Sequence, residues 1–193
     1  MPSITPFLEV VCQQVMTEDA SIFSVQWADM PVALTAQLST DDLLCRYLCY
    51  VKKFTLGLIR PLTLEGGIEF RLVGTQLSLI KFLPAEHSDN FVTLRICGGV
   101  LVQPRQCDRG ELRFGIEPTL ESVRASLQLS DFCPLILGSN SPSPFRLWLY
   151  RVTQAALHRL VTVRFLALLY RELAGPYAQV RVKNIVVRPG RPV

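Results

Sequence analysis

The sequence has few of the side chains on which enzymes depend for acid–base and nucleophilic chemistry. Its 193 residues include only two histidines, His87 and His158. No G-x-S-x-G, P-loop, G-x-G-x-x-G or H-E-x-x-H motif is present. His87 falls in a polar loop, and His158 falls within a predicted helix, where a histidine is usually satisfied by its own surroundings. The sequence therefore predicts no catalytic residue, and a cyclase- or hydrolase-like enzyme is the weakest of three functional hypotheses.

Segments that would place the chain in a membrane or send it out of the cell are also lacking. A spanning helix needs about 20 mainly apolar residues. The best stretch, residues 148–173, is interrupted by four arginines and a histidine. Residues 1–14 hold no basic residue and carry Glu9, which is not typical of a secretory signal. We therefore expect a cytoplasmic protein without a membrane-spanning segment.

The six cysteines lack the density and even spacing of a secreted disulfide framework. Cys45 and Cys49 lie four residues apart on a predicted helix, so their thiols share one face. No second cysteine or histidine pair completes the four ligands that structural zinc prefers. We predict six reduced thiols, with Cys45 and Cys49 as small core residues, and neither a metal nor any other cofactor.

Acidic residues are almost absent from the last quarter of the chain. Residues 142–193 carry nine basic and one acidic side chain, a net charge of +8, whereas residues 1–141 carry −4. Unless the fold neutralises it, this excess attracts anionic lipid, phosphates or an acidic partner. The residues expected to bind the anion or partner are Arg146, Arg164, Arg171, Arg181 and Lys183. Nucleic acid is not an expected partner, because the basic tail has only Tyr177 nearby to stack on bases.

The composition predicts one folded domain, because apolar residues make up 49% of the chain and exclude a disordered protein. The fold class expected is α+β: a mostly antiparallel sheet packed against a long C-terminal helix, with short N-terminal helices. Four regions of residues 1–193 are distinguished: a mainly helical part (1–53), an antiparallel sheet (54–137), a long helix (144–174) and a basic tail (176–193).

Helical spacing dominates the N-terminal region. Apolar residues at 4, 8, 11 and 15 predict a first helix over residues 3–17, capped by Ser3. Residues 24–27 and 32–38 are predicted to be short strands. The polar cluster at residues 39–42 is a strong N-cap for a second helix. The apolar face of that helix is Leu44, Tyr47, Leu48 and Val51.

From residue 54 onward the hydrophobic period changes from helical to two. Apolar and polar residues alternate in five segments: 68–73, 77–82, 92–96, 112–116 and 123–129. Glycine-containing turns at 74–75 and 108–110 separate strands, and Gly98-Gly99 is expected to break one. One apolar and one polar face predict an antiparallel sheet that is covered on one side.

The long helix is the most strongly signalled element. Ser143 and Pro144 are a favourable N-cap and first residue, and no breaker follows until Gly175. At about 100° per residue, one apolar stripe is expected to face the sheet. The stripe is Phe145, Trp148, Leu149, Val152, Ala156, Leu160, Val163, Leu166, Ala167 and Tyr170. The opposite side also carries apolar residues, which predicts either a second cover, from the N-terminal helices or another subunit, or a cavity or membrane-facing surface.

A meander over residues 54–129, with glycine-containing hairpins and a helix opened by Ser143-Pro144-Phe145, resembles the helix-grip fold of the START/Bet v 1-like (SRPBCC) superfamily. The likeness covers about 120 residues, 54–173. It implies an apolar ligand gripped between a curved sheet and the C-terminal helix. The N-terminal region departs from the family, which has a strand and then two short helices where this sequence predicts a helix first.

Two functions remain as the main hypotheses. The first is a non-catalytic binder or carrier of an apolar or lipid-like small molecule. Its predicted ligand-binding residues are Phe70, Phe114, Trp148, Val152 and Phe165, with Arg159 meeting a carboxylate or phosphate head group. The alternative is an interaction subunit or adaptor that docks through the basic, apolar C-terminal quarter. Its partner would be another protein, a second copy of the chain or an anionic membrane surface.

Overall fold

The computed structural model describes residues 7–35, 38–104, 109–138, 141–175 and 179–193. Within these residues, eleven strands form one mostly antiparallel sheet, against which a long C-terminal helix and a shorter helix pack. The predicted α+β class is confirmed. The first strands are β1 (Phe7–Met16), β2 (Ile22–Pro31), β3 (Ile59–Leu64), β4 (Gly67–Leu72), β5 (Ser78–Phe82) and β6 (Glu86–His87). The others are β7 (Phe91–Gly98), β8 (Glu111–Pro118), β9 (Ser122–Phe132), β10 (Gln179–Asn184) and β11 (Arg191–Pro192).

The strand order brings the two ends of the described chain together. It runs β10-β1-β2-β9-β8-β7-β5-β4-β3, with β11 beside β1 and β6 beside β7. Neighbouring strands are antiparallel except β1 and β10, which run parallel with Phe7 opposite Gln179 and Cys12 opposite Asn184. The C-terminal segment is therefore part of the sheet, and Gln13 accepts hydrogen bonds from the backbone N–H groups of Val187 and Arg188. The basic tail remains part of the sheet beyond Arg188, because β11 also pairs with β1.

The predicted N-terminal helix is wrong, because residues 7–16 form strand β1; residues 3–6 lie outside the described residues. Leu8, Val10 and Cys12 alternate and are buried, so the segment satisfies a strand period as well as a helical one. Pairing with β2 on one side and β10 on the other decides between the two. The strand predicted at 24–27 is confirmed within β2, whereas that at 32–38 is wrong where it is described, because α1 (Val32–Thr35) is a short helix.

Helix α2 (Thr40–Phe54) begins where the sequence predicted. The Ser39 hydroxyl accepts from the Asp42 backbone N–H, and the Asp42 carboxylate accepts from the Ser39 backbone N–H, a complete capping box. The Tyr47 ring lies 5.2 Å from the Phe114 ring and 5.3 Å from the Phe165 ring, so α2 is fixed to both the sheet and the long helix. The core assignment of Cys45 and Cys49 is wrong, because both are on the exposed face of α2.

The long helix spans residues 144–174 and ends at Gly175, whose positive φ of 103° suits glycine. It consists of α3 (Pro144–Tyr150), a π-helical segment (Arg151–Ala155) and α4 (Ala156–Ala174). A π segment holds more residues per turn, which rotates the faces of the helix on either side relative to one another. The predicted stripe is consequently wrong over its first half. Phe145, Trp148, Val152 and Leu160 are exposed, whereas Leu147, Tyr150, Val161, Phe165, Leu166 and Leu169 are buried.

The same helix is long and apolar enough, by length and composition, to cross a membrane. The expectation that the chain has no membrane-spanning segment stays a prediction. In the structure, 39% of its most apolar window is buried inside the protein. Length and apolar composition are shared by spanning helices and by the core helices of soluble domains, so this property alone does not assign the helix to either class.

Candidate functional site

A cavity of about 160 Å³ lies between the sheet and the long helix, on the side that α2 closes. Strands β3, β4, β5, β7, β8 and β9 supply eight of its 17 lining residues, α2 and the long helix supply seven, and Thr55 and Leu101 complete the wall. The apolar lining is Val51, Ile59, Phe70, Ile80, Phe82, Ile96, Leu101, Leu112, Leu129, Phe132, Leu157 and Val161. The polar lining is Tyr47, Thr55, Tyr150, Gln154 and His158. Leu157 is half exposed and marks where the cavity approaches the surface.

The π segment determines which side chains enter this cavity. Tyr150, Gln154, Leu157, His158 and Val161 line the cavity from the long helix, on either side of and within the segment. The Ala155 carbonyl at the end of the segment accepts a hydrogen bond of 3.2 Å from the Gln14 side chain of β1. Single-turn π segments in α-helices are found frequently at functional sites.

Two polar atoms of the cavity wall have no hydrogen-bond partner among the described residues: Gln154 Oε1 and His158 Nε2. Both atoms are buried, although the His158 residue as a whole is partly exposed. Burial lowers the pKa of His158 to about 4, so its imidazole is neutral at neutral pH. Buried polar atoms in native proteins are nearly always hydrogen-bonded, which makes these two atoms the strongest sign of a binding site.

The remaining polar groups keep the cavity neutral. Burial raises the pKa of the Tyr47 and Tyr150 phenols, so both are protonated at neutral pH. The described lining contains no carboxylate, ammonium or guanidinium group. The site can therefore hold apolar surface and make one or two neutral hydrogen bonds, but it offers no charge to balance an ionic ligand.

The predicted ligand-binding residues are only partly brought together. Phe70 lines the cavity, with its ring against Phe82. Phe114 and Phe165 are buried nearby against Tyr47, outside the lining. Trp148 and Val152 are exposed on the outer side of the helix. The outward positions of Trp148 and Val152 follow from the rotation of the helix faces that the π segment introduces.

Arg159 is directed away from the cavity to a separate cleft, where its guanidinium donates to Asn184 Oδ1 at 2.7 Å. This cleft, about 390 Å³, lies between β1, the C-terminal residues and the long helix. The Cys12 thiol also donates to Asn184 Oδ1, at 3.1 Å. Burial raises the pKa of Cys12, so its sulfur is a protonated thiol rather than a nucleophilic thiolate at neutral pH. The cleft beside Asn184 is thus a weaker candidate for a functional site than the cavity between the sheet and the long helix.

Gln154 and His158 were missed by sequence reasoning. Their i, i+4 spacing places them on one helix face, but nothing in the sequence marks the π segment that turns this face inward. His158 was interpreted as a satisfied helix histidine, whereas its Nε2 is buried without a partner among the described residues.

The predicted anion-binding residues are spread over several elements. Arg146 donates to the Leu137 carbonyl at 3.5 Å, Arg164 lies over the Phe54 ring, and Arg181 lies over the Phe7 ring. Arg171 is exposed near the end of α4. Lys183 forms an ion pair of 3.3 Å with Glu9, which neutralises that part of the charge.

Potential metal ligands do not cluster in the described part of the chain: no group of three His, Cys, Asp or Glu side chains is placed to hold an ion.

Comparisons with known proteins give little further information. No protein-family model and no curated protein matches the sequence. The solution NMR structure of CalU16 from Micromonospora echinospora is 14% identical, with a TM-score of 0.40 over 91% of this chain and 80% of that chain. A crystal structure of the same protein is 16% identical, with a TM-score of 0.27 over 86% of this chain and 96% of that chain. TM-scores this low support no statement about fold or function.

The fold itself is consistent with the helix-grip arrangement that the sequence resembles. Strand β2 is followed by the two short helices α1 and α2, then by the meander β3–β9 and the long helix. The apparent departure at the N-terminus is therefore removed, because the predicted first helix is a strand. Strands β1, β10 and β11 extend the sheet beyond this core arrangement.

Proposed function

We propose that this protein is a non-catalytic binder of an apolar small molecule, held in the cavity between the sheet and the long helix. The observation that carries the proposal is the apolar cavity, in whose wall two buried polar atoms of the long helix have no hydrogen-bond partner among the described residues. A few placed polar groups in an apolar wall are the usual composition of small-molecule sites. The single histidine has no carboxylate beside it in the described lining, which favours binding over acid–base chemistry.

Toluene is a suitable probe, because a dry engineered cavity of about 150 Å³ in another protein binds benzene. Saturating toluene is expected to raise the melting temperature of the wild-type protein and to shift amide resonances of the cavity wall. Val161→Phe and Ile80→Phe fill the cavity from two sides and should abolish both effects. Val152→Phe is the matched control on the exposed side of the same helix and should bind as the wild type does.

Two results would count against binding in this cavity. One is a wild-type protein whose melting temperature and resonances do not respond to toluene. The other is a response that persists in both folded cavity-filling variants, which would place the apolar ligand elsewhere.

We propose a second function, docking to an anionic lipid surface, because of one further observation. Phe145, Trp148 and Val152 are 68%, 56% and 50% exposed on the outer side of the long helix, and the rings of Phe145 and Trp148 stack at 6.1 Å. Arg146 and Arg151 lie in the same stretch of the helix and are exposed. Exposed aromatic residues beside arginines are typical of helices that lie in a membrane interface.

Co-sedimentation with phosphatidylserine-containing vesicles tests this second function. Binding should weaken as salt rises, and the double variant Phe145→Ser/Trp148→Ser should lose it. Leu56→Ser/Leu120→Ser is the control, since these two leucines are even more exposed but lie at turns away from the long helix. Equal vesicle binding by both double variants would remove this function and leave the cavity proposal intact.

A further inference from the structure

The polar atoms of the cavity restrict the head group of a ligand more sharply than the apolar wall does. The inference rests on the proposed cavity-binding function. Gln154 Oε1 is an amide carbonyl oxygen, which can only accept a hydrogen bond. A ligand that satisfies it must therefore donate an O–H or N–H. Ethers, hydrocarbons and carboxylates have no hydrogen to donate.

His158 adds a second condition. Its Nε2 lies one helical turn beyond Gln154, in the wall of the same cavity. A neutral imidazole in the tautomer that carries hydrogen on Nε2 can donate one hydrogen bond there. A hydroxyl group can meet both conditions at once, because its O–H donates to Gln154 while its lone pair accepts from His158.

Charge and size exclude most other ligands. An ammonium or carboxylate would enter an apolar cavity whose described lining offers no counter-charge, at a large desolvation cost. The cavity of about 160 Å³ is below the range of about 300–1,000 Å³ that is usual for drug-sized ligands. It matches the cavity of about 150 Å³ that binds benzene in another protein, which corresponds to one ring or a chain of similar volume.

We propose that the cavity selects a small, neutral, apolar molecule of about one ring in size that carries one hydroxyl group. The hydroxyl donates to Gln154 Oε1 and accepts from His158 Nε2–H. This assignment replaces the charged head group that was expected at Arg159, whose guanidinium is bonded to Asn184 outside the cavity.

Three probes of similar size separate the alternatives in calorimetric titrations of the full chain at pH 7: phenol, toluene and benzoate. Phenol should bind about tenfold more tightly than toluene, the effect of a hydrogen bond to groups otherwise left unsatisfied. Benzoate should not bind at millimolar concentration. Gln154→Met and His158→Leu should each lower phenol affinity about tenfold and leave toluene affinity within about twofold. Gln128→Met is the matched control, since Gln128 bonds Ser130 on β9 away from the cavity lining.

The outcomes distinguish this inference from the function on which it rests. If toluene binds but phenol binds no better, or if both variants keep the preference for phenol, the hydroxyl assignment is overturned and cavity binding stands. Benzoate binding as tight as that of phenol overturns the assignment as well. If neither toluene nor phenol binds the wild type, the cavity-binding function itself fails.

Discussion

His158 is a titratable residue whose burial links the stability of the fold to pH. Burial lowers its pKa to about 4, whereas the ordinary value, expected in the unfolded chain, is about 6.5. Between these values the unfolded chain binds a proton that the folded protein does not. The free energy of unfolding therefore falls as the pH is lowered from about 6.5 to about 4.

We predict that His158→Leu removes this pH dependence and is at least as stable as the wild type at pH 7, because it also removes an unpartnered buried polar atom. The two stabilities should diverge by on the order of 3 kcal/mol between pH 6.5 and pH 4, in favour of the variant. Urea unfolding at several pH values measures this difference. The Glu69 carboxyl, whose pKa is lowered to about 2 mainly by its hydrogen bond from Arg71, affects both proteins alike and mainly below pH 4.5. Parallel stability curves for the two proteins would show that folding does not lower the pKa of His158.

Cysteine exposure provides a second prediction for single residues. Cys45 and Cys49 are exposed on α2, whereas Cys12 and Cys133 are buried and burial raises the pKa of both thiols. Iodoacetamide should therefore alkylate Cys45 and Cys49 in the native protein at least tenfold faster than Cys12 and Cys133. Peptide mass spectrometry with a time course measures each rate, and unfolding in urea should make the rates similar. Equal native rates would contradict the placement of α2.

At the scale of elements, residues of the predicted apolar stripe differ in how much they contribute to the packing of the long helix. Leu166 is fully buried, whereas Leu160, one and a half turns earlier, is 41% exposed. A uniform helical wheel places both in the same stripe, so it predicts similar effects for the two residues. In the structure the two residues differ in burial, so different effects are expected.

We predict that Leu166→Ala lowers the free energy of unfolding by about 2–5 kcal/mol, the usual cost of a buried leucine and the cavity it leaves. Leu160→Ala should change it by less than about 1 kcal/mol, because most of the effect of such a truncation comes from burial. Urea unfolding of both variants gives the comparison. Similar losses in the two variants would mean that Leu160 is buried to the same extent as Leu166, as the predicted stripe implies.

At the scale of the whole molecule, the C-terminal strand completes the sheet. Residues 7–12 of β1 pair in parallel with β10, and the end of β1 pairs with β11. The last quarter of the chain is therefore a structural component as well as the most basic region. Its charge is partly neutralised where Lys183 meets Glu9 and where Arg188 lies 3.8 Å from Asp131.

We predict that a chain ending at Gly175 has a lower melting temperature and aggregates, because β1 becomes an unpaired edge with exposed backbone N–H and C=O groups. Removal of residues 191–193 alone should have a much smaller effect, since β11 pairs only two residues of β1. Differential scanning calorimetry and size-exclusion chromatography of the two truncations distinguish these cases. If the chain that ends at Gly175 is as stable as the full chain and elutes in the same way, β10 is dispensable to the sheet.

The sequence by itself determined the elements whose signals are local. The capping residues Ser39 and Ser143, the stop at Gly175 and the alternation from residue 68 to residue 129 predicted both main helices, the antiparallel sheet and the α+β class. Phe70, which the sequence analysis predicted as a ligand-binding residue, lines the cavity, and its role in binding stays a prediction. These features depend on neighbours a few residues away, so a one-dimensional pattern contains them.

Only the tertiary structure decided the rest. Residues 7–16 satisfy helix and strand periods alike, and the deciding partner, β10, lies more than 160 residues away in the sequence. The π segment has no local sequence signal, yet it rotates Trp148 and Val152 outward and brings Gln154 and His158 into the cavity. The cavity exists only where α2, six strands and the long helix meet, because its wall is built from side chains that are distant along the chain and close in the fold.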